Sequence, residues 1–285
     1  MTAPRQKTAA VIQDLSGFGK CSLTEVLPVL SAAGVACSAV PTAVLSSHTG
    51  GLPGVVKRDL TEEIGLFAAQ WSQLGLSFDA LYSGYLSSPG QVRACAGLVR
   101  TLRRPETLLL ADPAIGDGGR LYQGISGETA AAMREYCAMA DVLTPNRTEA
   151  ALLLGEPWRE GPCSQRETED LLRRLAGLGP RLVVLTGVSL GEGLLGAAGY
   201  DKEKDAVSYA MAPQVPGSYH GTGDLFSAAL LAGLLRPMPL QAAMQAAADF
   251  VSRSIRRTYE AGTDPRFGVN FEQELPSFLR ALGLL

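Results

Sequence analysis

Short apolar runs with β character alternate with segments of helical periodicity from one end of the chain to the other. The strand-like runs are TAAVIQDL (8–15), VACSAVPTAVLSS (35–47), DALYSGYL (79–86), TLLLADP (107–113), ADVLTPN (140–146) and RLVVLTGV (181–188). Helical spacing of apolar positions predicts helices over 22–33, 60–75, 89–103, 126–138 and 165–178. Two further strand-like runs, GLLGAAGY (193–200) and AVSYAMAP (206–213), follow each other too closely for a helix and read as a hairpin. The last third is helical, over 223–235, 239–257 and 271–283. Strands separated by helices need crossover connections, so the expectation is a mainly parallel sheet covered by helices on both faces. The strands are apolar throughout rather than alternating, which fits burial on both sides. No linker, repeat or low-complexity segment interrupts the pattern, so a single α/β domain over 1–285 is expected.

Composition narrows the classes. The charge is 25 − 28 = −3 and no basic run exceeds two residues, which argues against a nucleic-acid groove or a polybasic membrane patch. No stretch approaches the roughly 20 apolar residues of a spanning helix. The stretch MTAPRQKTAAVIQD lacks an apolar core before a small-residue cleavage site, so a cytoplasmic protein is expected. Five cysteines without a CxxC spacing and two histidines suggest neither a disulfide framework nor a zinc site.

In such sheets ligands bind beyond the carboxyl ends of the strands. Ser16, Ser47 to Thr49, Tyr85, Asp112, Asn146 and Thr186 all fall at predicted strand ends, so one shared site would explain them together. Taken one at a time, each is also a plausible turn or cap residue.

LSGFGKCSLT (15–24) looks like a phosphate loop but fails the test. Gly19 and Lys20 match the end of the pattern, whereas Asp14 holds the first glycine position. Cys21 replaces the hydroxyl residue that would reach magnesium. The dinucleotide fingerprint is closer, with Gly17, Gly19 and Ser22. Yet no Asp or Glu lies between Glu25 and Asp59 to take the ribose hydroxyls, which disfavours a nicotinamide oxidoreductase. The stretch reads as a glycine-rich strand-to-helix turn with Ser16 as its exposed polar tip.

A better anion site is HGTGDLFSAALLAGLL (220–235). Gly221, Thr222 and Gly223 lead into a helix rich in small residues, where converging N–H groups and the helix dipole favour an anion. An aspartate inside such a nest opposes its ligand unless it acts as a base. Asp224 could take a proton from a substrate hydroxyl while the N–H groups stabilise a transferring phosphoryl group. The plainer reading is an Asp in the first turn of a helix.

Gly-Thr-Gly-Asp opening a late, small-residue helix resembles the ribokinase-like superfamily of small-molecule kinases. SGFGKCSLT, PTAVLSSHTGG, YSGYLSS, DPAIGDGGRLY, DVLTPNRTEA, VVLTG and GTGDLFSAALLAG occur in the order found in pyridoxal and pyridoxamine kinases, over residues 9–258. The resemblance implies a three-layer ribokinase-like fold and ATP-dependent phosphorylation of the 5′-hydroxymethyl group of pyridoxal, pyridoxamine or pyridoxine. It implies ATP and Mg²⁺, admits a monovalent cation, and implies a homodimer. It places Ser16 at the polar edge of a pyridine ring, with His48, Thr49 and Tyr85 around the substrate. It places Asp112, Asn146, Glu149 and Thr186 at the ATP and Asp117 and Glu149 at the cations, partly through water. Gly221, Thr222, Gly223 and Asp224 become anion hole and base. Hard oxygen ligands suit magnesium with ATP, and Asn146 with Glu149 also has the spacing of a capping box. His48 is equally readable as a structural hydrogen-bonder.

Gly51 stands where many relatives carry an aromatic or bulky residue, which weakens ring stacking from this loop, and Ala114 where a larger aliphatic is common. Both changes are expected to enlarge or reshape the pocket and bear on which vitamer is taken. The nearest rival is a hydroxymethylpyrimidine kinase of thiamine synthesis. A sugar or nucleoside kinase is disfavoured, because residues 15–35 run directly into a helix without a β-lid. A vitamin-binding protein that has lost its chemistry is the rival outside the enzymes.

Overall fold

A computed structural model describes residues 5–285; residues 1–4, the start of the N-terminal stretch read above for a leader, lie outside the described residues. The chain runs β1 (Thr8–Ser16), α1 (Leu23–Ala32), β2 (Ala36–Leu45), β3 (Lys57–Asp59), α2 (Thr61–Gln73), β4 (Ala80–Ser83) and α3 (Pro89–Leu102). It continues through β5 (Leu108–Ala111), β6 (Gly116–Asp117), β7 (Arg120–Leu121), α4 (Gly127–Cys137), β8 (Val142–Leu143), α5 (Arg147–Leu154) and α6 (Gln165–Ala176). It closes with β9 (Leu182–Val188), β10 (Leu194–Asp201), β11 (Ala206–Pro213), α7 (Thr222–Leu234), α8 (Leu240–Glu260) and α9 (Leu275–Ala281).

Nine strands form one sheet in the order β11–β10–β9–β8–β5–β4–β1–β2–β3. The pairs from β9 through to β2 are parallel, and the antiparallel strands are β3 at one edge and β10 and β11 at the other. The strand pattern follows from burial on both faces. Val11, Tyr82, Leu110 and Val184 pack with α1, α7, α8 and α9, while Ile12, Leu81, Leu109 and Leu185 pack with α2 to α6. Successive residues thus serve opposite cores, and apolar side chains dominate both faces. The expected mainly parallel, three-layer architecture is what the chain forms, including the β10–β11 hairpin.

Local differences have local causes. β3 reads Lys-Arg-Asp and is exposed; an edge strand held through its backbone leaves no apolar signature. Helix α5 was absent from the periodic pattern because its eight residues span barely two turns. It is set by a full capping box, in which Asn146 and Glu149 each accept from the other's backbone N–H. The β6–β7 hairpin turns through Gly118 and Gly119, both at positive φ. Ahead of α9 the chain makes two short 3₁₀ turns, so that helix starts later than the expected 271.

Two features position the carboxyl-end crevice. The strand order reverses at β1, which places β2 on one side and β4 on the other, a switch point that opens a gap between loops. The β1–β2 register also shifts between Gln13 and Leu15. The extra residue lies on β2, where Thr42 and Ala43 stand opposite Asp14. Helix α7 lies tight on α8: a Cβ added at Gly233 would stand 2.8 Å from the Ala243 Cβ. Gly233→Val is therefore expected to lower unfolding stability by about 1–3 kcal/mol through overpacking, measured by urea denaturation.

Candidate active site

A cavity of about 390 Å³ opens at the carboxyl ends of the parallel strands, within the range of small-molecule sites. Its walls bring together His48 and Thr49 after β2, Tyr85 after β4, Asp112 after β5, Asn146 and Glu149 around the start of α5, and Thr186 on β9. Gly221, Gly223 and Asp224 from the start of α7 close the site. Ten residues expected from sequence therefore share one cavity, although they span most of the chain.

At the base of the cavity, Asp224 accepts a 2.8 Å hydrogen bond from the Ser22 N–H and a 3.2 Å bond from Gln13 Nε2. Burial, then the charge of Asp112, pushes its carboxyl up to about 8. Asp112 accepts from the Ser227 hydroxyl at 2.9 Å, and burial pushes it up to about 6. Glu149 is buried, with one oxygen accepting from the Ile115 N–H at 3.1 Å and the other from the Asn146 N–H at 2.8 Å. Burial, reinforced by Asp112, holds it well above the usual carboxylate range. The capping role and the acidic site role of Asn146 and Glu149 coexist, because the cap bonds hold the carboxyl at the cavity wall. Asn146 also donates to the Gly116 carbonyl at 2.8 Å, which ties α5 to the β6–β7 hairpin.

Gly221 caps α7 at φ 80°. A Cβ there would meet the Lys20 carbonyl at 2.5 Å and the Glu25 carboxyl at 2.6 Å, so only glycine fits. Glu25 lies fully buried behind this turn with neither oxygen hydrogen-bonded. Burial, then Asp224, pushes its carboxyl well up, which favours the neutral acid and avoids negative charge behind an anion nest.

His48 is buried, its Nε2 against the Arg266 carbonyl and its Nδ1 accepting the Gly50 N–H at 3.0 Å. Both ring nitrogens are engaged by the backbone. His220 stacks 5.0 Å away and also lines the cavity. Thr186 spans the gap between β9 and β8 through its bridge to Asn146.

Three expected residues lie outside the cavity wall. Asp117 is exposed on β6 and accepts from the Gly118 N–H at 2.8 Å. Thr222 turns its hydroxyl toward the Tyr219 carbonyl. Ser16, expected as an exposed tip, is 0% exposed and donates at 3.0 Å to Asp14. The two side chains lie on the same side of β1, and Asp14 lines the cavity while Ser16 sits behind it. Lys20, the apparent phosphate-loop lysine, points away from the site toward the Val269 carbonyl, Asn270 and Glu272.

Asp14, Cys21, Ser22, Tyr122 and His220 line the cavity without having been singled out as site residues. For Asp14 a signal was present: a carboxylate ending an otherwise apolar strand. Ser22 is held at φ 47°, uncommon for a residue with a side chain, and Ala114 at φ 43°. Such strain concentrates at functional sites. Burial, then Asp14 and Asp224, pushes the Cys21 thiol well up and keeps it a poor nucleophile.

Comparison with known proteins agrees with this geometry. A family model described as phosphomethylpyrimidine kinase matches residues 27–268. A pyridoxine/pyridoxal/pyridoxamine kinase of Bordetella bronchiseptica is 30% identical over 276 residues, 91% of this chain and 92% of that one. A Schizosaccharomyces pombe protein provisionally described as a pyridoxal kinase is 30% identical over 203 residues, 68% of this chain and 63% of that protein. Among solved structures, a Bacteroides thetaiotaomicron protein provisionally described as a phosphomethylpyrimidine kinase, crystallised with pyridoxal, superposes with a TM-score of 0.92. It is 36% identical, and the match covers 96% of each chain. Sequence, fold and site arrangement converge, and the chain belongs to the pyridoxal kinase family of the ribokinase-like superfamily.

Proposed function

We propose that the protein is an ATP-dependent kinase that phosphorylates the 5′-hydroxymethyl group of a pyridoxine-type substrate, giving pyridoxal 5′-phosphate or its amine or alcohol form. The observation that carries this reading is the placement of Asp224. It is a half-buried carboxyl facing a small-molecule cavity, at the start of a helix whose glycine cap leaves N–H groups free to meet an anion. The relatives' names and the pyridoxal in the Bacteroides structure support the substrate class.

In this reading Asp224 removes the hydroxyl proton and the oxygen attacks the γ-phosphorus. The N–H groups around Gly221, Thr222 and Gly223 receive the charge that develops on the transferring phosphoryl group. Thr49, Tyr85 and the Gly50–Gly51 turn surround the substrate, while His48 holds that turn in place. Asp112, Asn146, Glu149 and Thr186 face the nucleotide. Their donor set fits magnesium: two buried carboxyls lie close enough for Asp112 to raise the proton affinity of Glu149, and no Lys, Arg or His pairs with either among the described residues. No three His, Cys, Asp or Glu converge to hold a metal by themselves among the described residues. That suits an ion completed by phosphate oxygens and water. Asp112 and Glu149, with Asp117 at the rim, would hold magnesium partly through water, and the ion would supply charge that offsets the phosphates. Among the described residues no helix is long and apolar enough to cross a membrane; we extend the proposal to a homodimer acting in the cytoplasm.

The description of the family model favours a second reading, phosphorylation of hydroxymethylpyrimidine. ADP release with MgATP on pyridoxal, pyridoxamine, pyridoxine and hydroxymethylpyrimidine in parallel decides between them. Turnover on a pyridine vitamer is the expected result, turnover on the pyrimidine alone moves the protein to the second reading, and ATP consumed with no acceptor phosphorylated sinks both.

Asp224→Asn should lower kcat by roughly 10²- to 10⁴-fold, the usual worth of a positioned base, with the fold intact. Its stability should also respond to pH with a defined sign. The folded carboxyl holds its proton up to about 8, against an ordinary 3.8, so between those values the folded state binds more protons than the unfolded. Wild-type stability therefore falls as pH rises through that window. Urea unfolding of the variant should show a flatter profile there, with its largest gain over wild type at the alkaline end.

A further inference from the structure

Asp14 is a cavity-lining carboxylate, 5% exposed, at the end of β1. Its Oδ1 accepts from the Ser22 hydroxyl at 2.7 Å and its Oδ2 from the Ser16 hydroxyl at 3.0 Å. Each oxygen keeps a further lone pair. Among the described residues no Lys, Arg or His forms an ion pair with it. The ionisable groups that face it are the Tyr85 phenol, the Cys21 thiol and Asp224, with Lys57 on β3 acting only at longer range. None of the near groups brings positive charge. A buried, unpaired carboxylate is costly unless something supplies that charge or a donor.

Ser22 connects this group to the base. Its N–H donates to Asp224 and its hydroxyl to Asp14, so one residue held at φ 47° fixes the spacing of the two acceptors. A substrate whose hydroxyl meets Asp224 brings another part of its ring toward Asp14.

We infer that Asp14, rather than Ser16, holds the polar edge of the substrate ring by accepting a hydrogen bond from a nitrogen that carries a proton. That nitrogen is a protonated pyridine nitrogen or an amino group on a pyrimidine. The inference rests on the kinase reading above. A serine hydroxyl both donates and accepts, so it tolerates either protonation state of a ring nitrogen. A carboxylate only accepts, so it selects the proton-bearing form. With Gly51 and Ala114 offering little surface to the ring, this polar contact carries more of the selectivity.

The test is steady-state kinetics of wild type, Asp14→Asn, Asp14→Ser and Ser16→Ala with pyridoxine, hydroxymethylpyrimidine and ATP, alongside absorption spectra of bound pyridoxine. Loss of a hydrogen bond to a charged group should raise KM for the accepted ring substrate roughly tenfold to hundredfold in the Asp14 variants. KM for ATP should stay within about twofold. Ser16→Ala should have a smaller effect, because it removes only a donor to Asp14. Wild type should hold pyridoxine with the spectrum of the nitrogen-protonated ring, and the variants should lose that signature. If the pyrimidine is the accepted substrate, the same KM rise on that compound assigns the contact to its amino group. Wild-type turnover with Asp14 variants of unchanged KM, or pyridoxine bound to wild type as the neutral ring, overturns the Asp14 assignment and leaves the kinase reading standing. The spectrum needs no variant, so a misfolded Asp14→Asn does not block the test. Wild type that phosphorylates neither ring overturns both.

Discussion

Asp14, Asp112, Glu149 and Asp224 line one end of a parallel sheet, where burial raises the proton affinity of each and repulsion from Asp112 adds to it at Glu149 and Asp224. Water would ordinarily dissipate such charge. Here it is replaced by fixed donors: hydroxyls of Ser16, Ser22 and Ser227 and N–H groups of Ser22, Ala114, Ile115 and Asn146. Two of those donors, Ser22 and Ala114, belong to residues at positive φ. The backbone strain and the carboxylate cluster are thus one feature. The turns bend unfavourably so that their N–H groups reach the acids, and the cores on both faces of the sheet hold the turns in that shape.

The same constraint explains the order of charge around the cavity. Cationic side chains are kept away: Lys20 is turned to the C-terminal segment, and Lys57 acts on Asp14 only at a distance. A lysine paired with the acids would neutralise them permanently and remove their affinity for ligands that bring positive charge or N–H donors. Behind the glycine cap of α7, Glu25 is better neutral than ionised, because a charge there would oppose both Asp224 and any anion at the helix start. The site is therefore divided into an acidic wall and an N–H-lined floor, the arrangement that phosphoryl transfer from a cation-bound nucleotide requires.

Much of this was legible in the chain. The apolar runs and their spacing were enough for a parallel sheet with helices on both faces, because burial on two sides leaves a mark at every strand position. Gly221, Gly223 and Asp224 stood out because glycines before a small-residue helix have a specific backbone use. The polar residues at strand ends pointed to one site because a parallel sheet collects those ends at one edge. Local periodicity and composition can carry these inferences, since each depends on residues close in sequence.

What the sequence could not decide was direction. Ser16 and Asp14 are two positions apart, and strict alternation would turn them to the same side. They do share a side, joined by a 3.0 Å hydrogen bond from the Ser16 hydroxyl to Asp14, and only the fold decides which of the two reaches the cavity wall. Lys20 resembled a phosphate-loop lysine until the segment around residue 270, far along the chain, supplied its partners. The cluster of four carboxyls likewise has no local signature, since its members come from two strand ends and two helix starts. A sequence pattern records how each residue relates to its neighbours along the chain. Which side of a turn meets the cavity, and which acids meet each other, is set by packing between segments that only the folded chain brings together.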